Sequence, residues 1–329
     1  MSEVIESKVK RIGVLTSGGD APGMNAAIRS VVRSALARGI ECVGIHRGYA
    51  GLIAGDFELM NSDSVSRIMN RGGTVLYTAR SDEFMTEAGR EKAYGTCKLL
   101  GLDGLVVIGG DGTFRGAQAL SKYGIAVVGI PGTIDNDIVC TDYTIGFDTA
   151  ANTAVECIDR LRDTMQSHER CSVVEVMGRH AGYLALYVGV ACGATAVLVP
   201  EHSYDFQGHV AKKIRQARLN GKTNFTVVVA EGSMSAVTVG EDIQRELGLD
   251  PRVTILGHIQ RGGAPTAKDR VMATRMGYEA VKALAEGKTN RVICAHNDRI
   301  TDMDFDEGLT QMKTLNKEEF EVMTVMTGT

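Results

Sequence analysis

Two short polar segments, each directly after an apolar run, carry residue types that could bind phosphate and a cation. Residues 109–113 read Gly-Gly-Asp-Gly-Thr, and residues 131–137 read Pro-Gly-Thr-Ile-Asp-Asn-Asp. Glycines let phosphate oxygens approach backbone N–H groups, and the carboxylates of Asp111, Asp135 and Asp137 can hold a cation or accept a proton. These groups together are the parts of a phosphoryl-transfer site.

The elements around the two segments predict how they come together. The apolar runs at residues 105–108 and 125–130 predict two strands, and the amphipathic stretch at 114–121 predicts the helix that joins them. Parallel strands that pair directly lie about 4.8 Å apart, so both polar segments would open at the same edge of one sheet. Open α/β sheets bind their ligands at that edge.

The same alternation of strands and helices runs through the rest of the chain. Further strands are predicted at residues 11–16, 41–45, 171–177, 196–199 and 226–230, and a last strand begins near 293. Helices are predicted at residues 24–38, 65–69, 87–100, 150–164, 182–192, 207–219 and 267–286, with two short acidic helices at the end. Thr266 is the predicted N-cap of the helix at 267–286, and residues 257–263 are predicted to form a loop.

This order of elements predicts an α/β fold with two doubly wound, three-layer α/β/α domains. The larger domain would contain residues 1–146 plus about 260–310. The smaller domain would contain residues 147–259 plus about 311–329.

Composition and charge narrow the class of protein. A chain of 329 residues with 44% apolar and 23% charged residues is typical of an ordinary globular protein. The net charge of −4 argues against nucleic acid as a partner, so a phosphate site would have to be locally cationic. Seven cysteines without a CxxC motif, and no basic-then-apolar leader, predict reduced thiols in a cytoplasmic protein. The uncharged stretch at 183–200 favours a helix and a buried strand over a membrane span, and the basic stretch at 212–222 predicts a solvated helix face.

Two familiar nucleotide-binding motifs are incomplete in this chain. Gly18 and Gly23 have the spacing of a Walker A loop, but Met24 and Asn25 stand where the Lys and the Ser or Thr would be needed. The glycines that begin at Gly110 follow GxGxxxG spacing, which disfavours a dinucleotide site.

Five longer segments, in order, resemble the bacterial 6-phosphofructokinase family: residues 12–29, 109–113, 131–137, 177–179 and 257–263. The similarity extends from about residue 10 to about residue 300. The resemblance implies transfer of the γ-phosphoryl group of ATP to O1 of fructose 6-phosphate with Mg²⁺, in a homotetramer. It also implies a larger nucleotide-binding domain, a smaller sugar-phosphate-binding domain and an active site in the cleft between them.

The resemblance implies a role for each matching residue. Asp135 would be the general base for the 1-hydroxyl with Thr133 beside it, and Asp111 would hold Mg²⁺. The catalytic arginines would be Arg80 and Arg179, which would balance the charge of the moving phosphoryl group. The ATP site would be lined by Gly19, Tyr49, Arg80, Ser81, Gly110, Asp111, Gly112 and Thr113. The sugar phosphate would be held by Thr133, Asp135, Met177, Gly178, Arg179, Glu231, His258 and Arg261, joined across a subunit interface by Arg170 and Arg252.

Two glycines, Gly112 and Gly132, indicate which phosphoryl donor is used. Pyrophosphate-using relatives usually have Asp at the position of Gly112 and Lys at the position of Gly132. A carboxylate at residue 112 would repel the α-phosphate of ATP, so the glycines favour ATP. A pyrophosphate-dependent enzyme, a catalytically silent regulatory subunit and a lipid or NAD kinase are the alternatives. The sugar-phosphate segment at 257–263 argues against the last of these.

Many bacterial members are regulated by ADP or phosphoenolpyruvate at a second site. The family's cationic residues at that site are kept here as Arg29, Arg33, Arg162 and Lys222. Ser62 and Asn220 replace two cationic residues, and Thr195 replaces an acidic residue that helps to hold the effector's Mg²⁺. Because each charge-assisted hydrogen bond to phosphate contributes roughly 1.5–3 kcal/mol, weakened or altered control by the effector is expected.

Overall fold

A computed structural model of the protein describes residues 9–310, 313–315 and 317–328. The chain folds into two compact units. The first runs through Thr133, includes Ile138–Gly146 and resumes at Arg261. The second includes Ile134–Asp137 and Phe147–Gln260 and resumes at Lys313. The predicted division kept residues 134–137 in the larger domain, whereas here they group with the second unit. Residues 1–8, 311–312, 316 and 329 of the predicted domains lie outside the described residues.

The first unit is built on a seven-stranded sheet with the order β11-β10-β5-β4-β1-β2-β3. Its strands are β1 (Arg11–Thr16), β2 (Glu41–Ile45), β3 (Phe57–Met60), β4 (Gly104–Gly109), β5 (Ala126–Pro131), β10 (Arg291–His296) and β11 (Arg299–Asp304). The edge strands β3 and β11 are antiparallel to their neighbours, and the other pairs are parallel. The central strand β4 is buried along its whole length, as expected for a parallel strand covered on both faces.

The helices of the first unit follow its strands. They are α1 (Met24–Leu36), α2 (Gly48–Ala54), α3 (Asp82–Met85), α4 (Glu87–Leu99), α5 (Asp111–Ser121), α10 (Ala267–Ala285) and α11 (Phe305–Gly308). Phe114 of α5 packs with Leu105 and Val107 of β4 in a large buried cluster. Thr266 caps α10 as predicted, because its hydroxyl accepts a hydrogen bond from the Asp269 N–H.

The second unit is built on a four-stranded parallel sheet with the order β7-β8-β6-β9. Its strands are β6 (Cys171–Val176), β7 (Ala196–Leu198), β8 (Phe225–Ala230) and β9 (Pro251–Ile255). Its helices are α6 (Phe147–Ser167), α7 (Tyr183–Ala191), α8 (Lys212–Leu219), α9 (Ala236–Leu247) and α12 (Lys317–Gly328). A π-helical turn at Gln207–Ala211 leads into α8, and a 3₁₀ turn spans Gly257–Arg261. Val173, Val227 and Ile214 belong to its separate buried core.

The α/β fold class is confirmed, and so is the direct parallel pairing of β4 with β5. The helix predicted at 65–69 is wrong. Residues 62–67 form turns, because the Asn61 side chain accepts hydrogen bonds from the backbone N–H groups of Asp63 and Ser64 and fixes a turn just before them. The loop predicted at 257–263 contains the 3₁₀ turn. The edge strands β3, β9 and β11 were missed, because Met60 is the one buried residue among them and they lack the apolar run of a buried strand.

Two further properties concern the chain as a whole. Among the described residues, no helix is long and apolar enough to cross a bilayer. The seven cysteines all lie within the described part of the chain, and six of them are buried.

Candidate active site

The glycine segment at 109–113 forms the turn from β4 into α5, which begins at Asp111. A Cβ atom at Gly109 would lie 2.4 Å from the carbonyl oxygen of Ser17, so only glycine fits there. A Cβ atom at Gly112 would meet nothing within 4 Å, so the first turn of α5 borders open space. Backbone N–H groups at such a helix start can bind phosphate oxygens.

Buried side chains fix the position of this turn. The Thr113 hydroxyl donates to the Ser17 carbonyl oxygen at 3.0 Å, and the Tyr49 hydroxyl donates to the Thr113 carbonyl oxygen at 2.6 Å. The Tyr49 ring stacks on Phe84 with 4.0 Å between the centroids. Burial raises the pKa of Tyr49, so the phenol stays protonated and remains a donor. Tyr49 was predicted to line the ATP site. In this structure it is buried and supports the turn through its hydrogen bond to Thr113.

Asp111 is the carboxylate at the head of α5, and its side chain is 46% exposed. It accepts a hydrogen bond from the Nε of Arg115 at 2.8 Å, one helical turn further on. The described residues contain no cluster of three or more His, Cys, Asp or Glu side chains that could hold a metal ion. Mg²⁺ is commonly held by one or two carboxylates together with phosphate oxygens of a substrate.

Arg80 and Ser81 lie just before α3. Arg80 is exposed. The Ser81 hydroxyl accepts a hydrogen bond from the Phe84 N–H at 3.2 Å and so caps α3. Because Phe84 stacks on Tyr49, the segment with Arg80 and Ser81 is tied to the glycine turn.

The loop after β1 lies against an arginine from the far end of the unit. The Arg261 Nη1 donates to the Asp20 carbonyl oxygen at 3.0 Å. A Cβ atom at Gly19 would lie 2.7 Å from that nitrogen, so a side chain there would displace the guanidinium group. Gly19 was predicted to line the ATP site and Arg261 to bind the sugar phosphate. In the structure these two residues lie next to each other.

Asn25, for which the sequence indicated no role, holds the loop at residues 71–75 in place. It is buried at the start of α1, and its amide nitrogen donates to the carbonyl oxygens of Arg71 (3.0 Å) and Gly72 (3.2 Å). Its amide oxygen accepts a hydrogen bond from the Val75 N–H at 2.8 Å. The only signal in the sequence was that an amide stands where a Walker A loop would have a hydroxyl.

The segment at 131–137 begins in the first unit and ends in the second. Thr133 and Asp135 are both buried, at 8% and 4% exposure. The Thr133 carbonyl oxygen accepts a hydrogen bond from the Thr144 hydroxyl at 2.6 Å. Asn136 has a left-handed backbone (φ 50°), and its carbonyl oxygen accepts a hydrogen bond from Lys313 Nζ at 2.9 Å. The loop that carries Asp135 is therefore fixed by hydrogen bonds to its backbone.

In the second unit, the turn after β6 places Met177, Gly178 and Arg179. Gly178 and Arg179 both have positive φ angles, 141° and 55°. A Cβ atom at Gly178 would lie 2.5 Å from the Ala181 carbonyl oxygen, so this turn requires glycine. The Glu231 carboxylate accepts hydrogen bonds from the N–H groups of Arg179 (2.7 Å) and Gly178 (3.3 Å). Glu231, predicted to hold the sugar, also holds the turn that presents Arg179.

Arg170 and Arg252 come together at the edge of the second sheet. Strand β9 pairs with β6 so that Arg252 faces Ser172, two residues after Arg170. Asp250 lies between the arginines, 2.9 Å from Arg252 and 3.9 Å from Arg170. Both guanidinium groups are partly exposed. His258 is exposed in the 3₁₀ turn that follows β9.

A family model described as Phosphofructokinase matches residues 11–284 of the chain. The chain belongs to the phosphofructokinase family. The "ATP-dependent 6-phosphofructokinase" of Clostridium botulinum (strain Hall) is 54% identical over 318 residues, which cover 97% of this chain and 99% of the relative. The "ATP-dependent 6-phosphofructokinase 1" of Clostridium perfringens (strain 13) is 55% identical over 314 residues, or 95% of this chain and 98% of the relative.

Solved structures of phosphofructokinases share the fold. The phosphofructokinase from Saccharomyces cerevisiae superposes with a TM-score of 0.85 at 34% identity, over 96% of this chain and 46% of the yeast chain. This phosphofructokinase-family chain thus spans about half the length of that yeast chain. A pyrophosphate-dependent phosphofructokinase from Marinobacter aquaeolei also has a TM-score of 0.85, at 19% identity over 98% of this chain and 92% of that one. That likeness concerns the fold alone.

Two arginines of the predicted effector site, Arg29 and Arg33, lie on α1. Arg29 and Arg33 line a cavity of about 520 Å³ between α1 and α10, together with Arg38 and Arg275. The Arg38 guanidinium lies 4.7 Å from the centre of the Tyr278 ring. Ser62 is exposed in the turn-forming segment before residue 68.

The second-unit residues of that site are engaged within their own unit or exposed. Arg162 donates to the Cys192 carbonyl oxygen. Thr195 is buried, and its hydroxyl accepts a hydrogen bond from the Thr226 N–H at 3.3 Å. Asn220 ends α8, and Lys222 is exposed just after it. Thr195 therefore supports the second sheet. An acidic side chain buried at this position would need a partner to offset the cost of burying its charge.

Proposed function

We propose that this chain transfers the γ-phosphoryl group of Mg-ATP to O1 of D-fructose 6-phosphate, giving fructose 1,6-bisphosphate and ADP. This is the committed step of glycolysis. The names and near-complete coverage of the clostridial relatives support the proposal. The observation that carries it is the glycine turn at the start of α5, open above Gly112 and fixed from below by Tyr49.

In this reaction Asp135 accepts the proton of the 1-hydroxyl group, and Thr133 lies at the transferring phosphoryl group. Hydrogen bonds to the backbone of the segment at 131–137 support such a role, because a general base must be held in place. A carboxylate suffices as base, since in a loose transition state the hydroxyl loses its proton late. Arg80 and Arg179 balance the charge on the moving phosphoryl group, and both are exposed and open to a ligand.

Asp111 holds the Mg²⁺ ion that accompanies ATP. Mg²⁺ in such sites is bound by one or two carboxylates plus the substrate's phosphates, and the half-exposed Asp111 beside a phosphate-binding turn fits that pattern. When bound, the ion neutralises phosphate charge. The carboxylate that would hold the ion also accepts the hydrogen bond from Arg115 Nε.

A further set of residues binds the sugar phosphate. Glu231 fixes the turn with Met177, Gly178 and Arg179, and His258 and Arg261 bind the phosphate. Arg170 and Arg252 serve the site of a neighbouring subunit in a homotetramer. Their exposed position around the shared Asp250 at a sheet edge supports this assignment.

We further propose that the enzyme is cytoplasmic, that it uses ATP in preference to pyrophosphate, and that its control by ADP is weakened or altered. The preference for ATP rests on Gly112 and Gly132. A Cβ atom at Gly132 would lie 3.1 Å from Ile108 and 3.3 Å from Met24, so a lysine there would also disturb the core. The weakened or altered control rests on Ser62, Thr195 and Asn220.

One assay tests these assignments. Formation of fructose 1,6-bisphosphate is followed in a coupled assay with fructose 6-phosphate and either Mg-ATP or pyrophosphate. Turnover with ATP and little with pyrophosphate is expected, and the reverse would refute the choice of donor. No turnover with either donor would favour a silent subunit. Strong activation by ADP at ordinary concentrations would refute the weakened effector site.

A further inference from the structure

A cavity of about 540 Å³ lies in the second unit, lined by β7, the start of α8 and the C-terminal helix α12. Its volume is in the usual range for small-molecule sites. None of the residues predicted for ATP, sugar phosphate or effector lines it. It is therefore a separate feature of the second unit.

One side of the cavity is apolar. Leu198 and Val199 are buried beneath it, and Met323 of α12 is only 1% exposed. The rings of His202 and Phe320 lie at its side with 4.4 Å between their centroids. This wall offers flat and branched apolar surface to a ring or a branched chain.

The lining also carries nitrogen-bearing side chains. They belong to His209, Lys212, Lys213 and Gln216, and none of the described residues that line the cavity is acidic. Lys212, Arg215, Arg218 and Lys222 of the predicted solvated face are exposed, whereas Lys213 is partly buried. The Lys213 Nζ lies 4.0 Å from the Met323 sulfur. Burial lowers the pKa of Lys213. An anion beside the ammonium group would favour its charged form.

We propose that this cavity binds a small organic anion that carries an apolar ring or branched chain. The anionic head, a carboxylate or a phosphate monoester, contacts Lys212 and Lys213, and the apolar body packs on Met323 and Phe320. The lining offers apolar and cationic groups next to each other, as in the contact of Lys213 with Met323, which suits a molecule that carries both parts. A lysine contributes a point charge with three donors, which suits either head group.

The test is a calorimetric titration of the full chain with four probes. Benzoate and phenyl phosphate combine a ring with an anion, inorganic phosphate supplies the anion alone, and benzyl alcohol supplies the ring alone. Phenyl phosphate is titrated with and without saturating fructose 6-phosphate, so that binding at the proposed active site is recognised. Saturable binding of benzoate or phenyl phosphate, at least ~10-fold tighter than either part alone, is expected. Which of the two binds identifies the head group.

Variants locate the binding. Lys213→Met keeps the apolar stem and removes the charge, and it should weaken binding by ~10-fold or more. Arg215→Met is the matched control, since Arg215 lies on the same helix, is exposed and does not line the cavity. Gln216→Glu adds a negative charge to the lining at nearly constant size, and it should abolish binding even if Lys213→Met fails to fold.

Three results would overturn the proposal. The first is no saturable binding of benzoate or phenyl phosphate to the native chain. The second is equal affinity for an isolated part, which would indicate a simple anion patch or a purely apolar cavity. The third is unchanged binding by the Gln216→Glu variant.

Discussion

Replacement of Glu231 tests whether a carboxylate can control sugar-phosphate binding through the backbone. In the structure Glu231 accepts hydrogen bonds from the N–H groups of Arg179 at 2.7 Å and Gly178 at 3.3 Å. Arg179 has a positive φ angle, which is unfavourable for a residue with a side chain, so the turn needs support from outside itself. Glu231→Ala removes the oxygen that accepts both hydrogen bonds and so frees the turn that presents Arg179.

The size of the effect follows from those two contacts. A hydrogen bond to a charged group contributes about 1.5–3 kcal/mol, but Glu231 is exposed and the second contact is long. We therefore count one bond at about 1.5–2 kcal/mol, which corresponds to a 10- to 30-fold loss in kcat/KM for fructose 6-phosphate. Glu231→Gln keeps a neutral acceptor of about half the strength, so a loss of about 3- to 5-fold is expected. Direct contact between Glu231 and the sugar would add to these losses.

The assay is steady-state kinetics in which fructose 6-phosphate is varied at saturating ATP, and then ATP at saturating sugar phosphate. The matched control is Glu201→Ala, because Glu201 is also exposed and accepts a hydrogen bond from the Gly182 N–H at 2.8 Å. The KM for ATP should be unchanged in every variant. A less than twofold effect of Glu231→Ala, or an equal effect of Glu201→Ala, would refute the reasoning.

Three further predictions concern the first unit and the proposed base. Asp135→Ser should lower kcat by at least ~10²-fold, and a full-speed variant in the coupled assay would contradict its role as base. Gly112→Asp should fold with an unchanged Tm, because a Cβ atom there meets nothing within 4 Å. It should nevertheless raise the KM for ATP ~10-fold or more by charge repulsion, and unimpaired ATP kinetics would count against the donor argument. Tyr49→Phe loses the 2.6 Å hydrogen bond to Thr113, which should cost about 0.5–1.5 kcal/mol and lower the Tm in calorimetry by a few degrees. An unchanged Tm would show that the bond contributes nothing to stability.

The parts that sequence predicted well are those set by local pattern. The apolar runs before residues 109 and 131 predicted β4 and β5 and their direct pairing, because a buried parallel strand has a continuous apolar sequence. Thr266 was recognisable as a cap from its position alone. Edge strands such as β9 were missed, since exposure removes the apolar signal.

The parts that sequence could not predict depend on distant pairs. Asn25 bonds a loop that begins 46 residues later, and Glu231 bonds a turn 52 residues earlier at Arg179. No periodicity connects such positions, because the tertiary fold alone brings them together. The turn at residues 62–67 shows the reverse case, in which a local side-chain hydrogen bond overrides an apolar pattern.

The buried thiols give each unit an internal reporter of its own stability. Burial raises the pKa of Cys42 and Cys97 in the first unit, and of Cys171 in the second, to about 12. Near neutral pH these groups are thiols rather than nucleophilic thiolates, so an alkylating reagent reaches them only when the surrounding structure opens. Peptide-resolved alkylation rates would therefore measure the opening of the two units separately, and a ligand that stabilises one unit would slow labelling at its own cysteines.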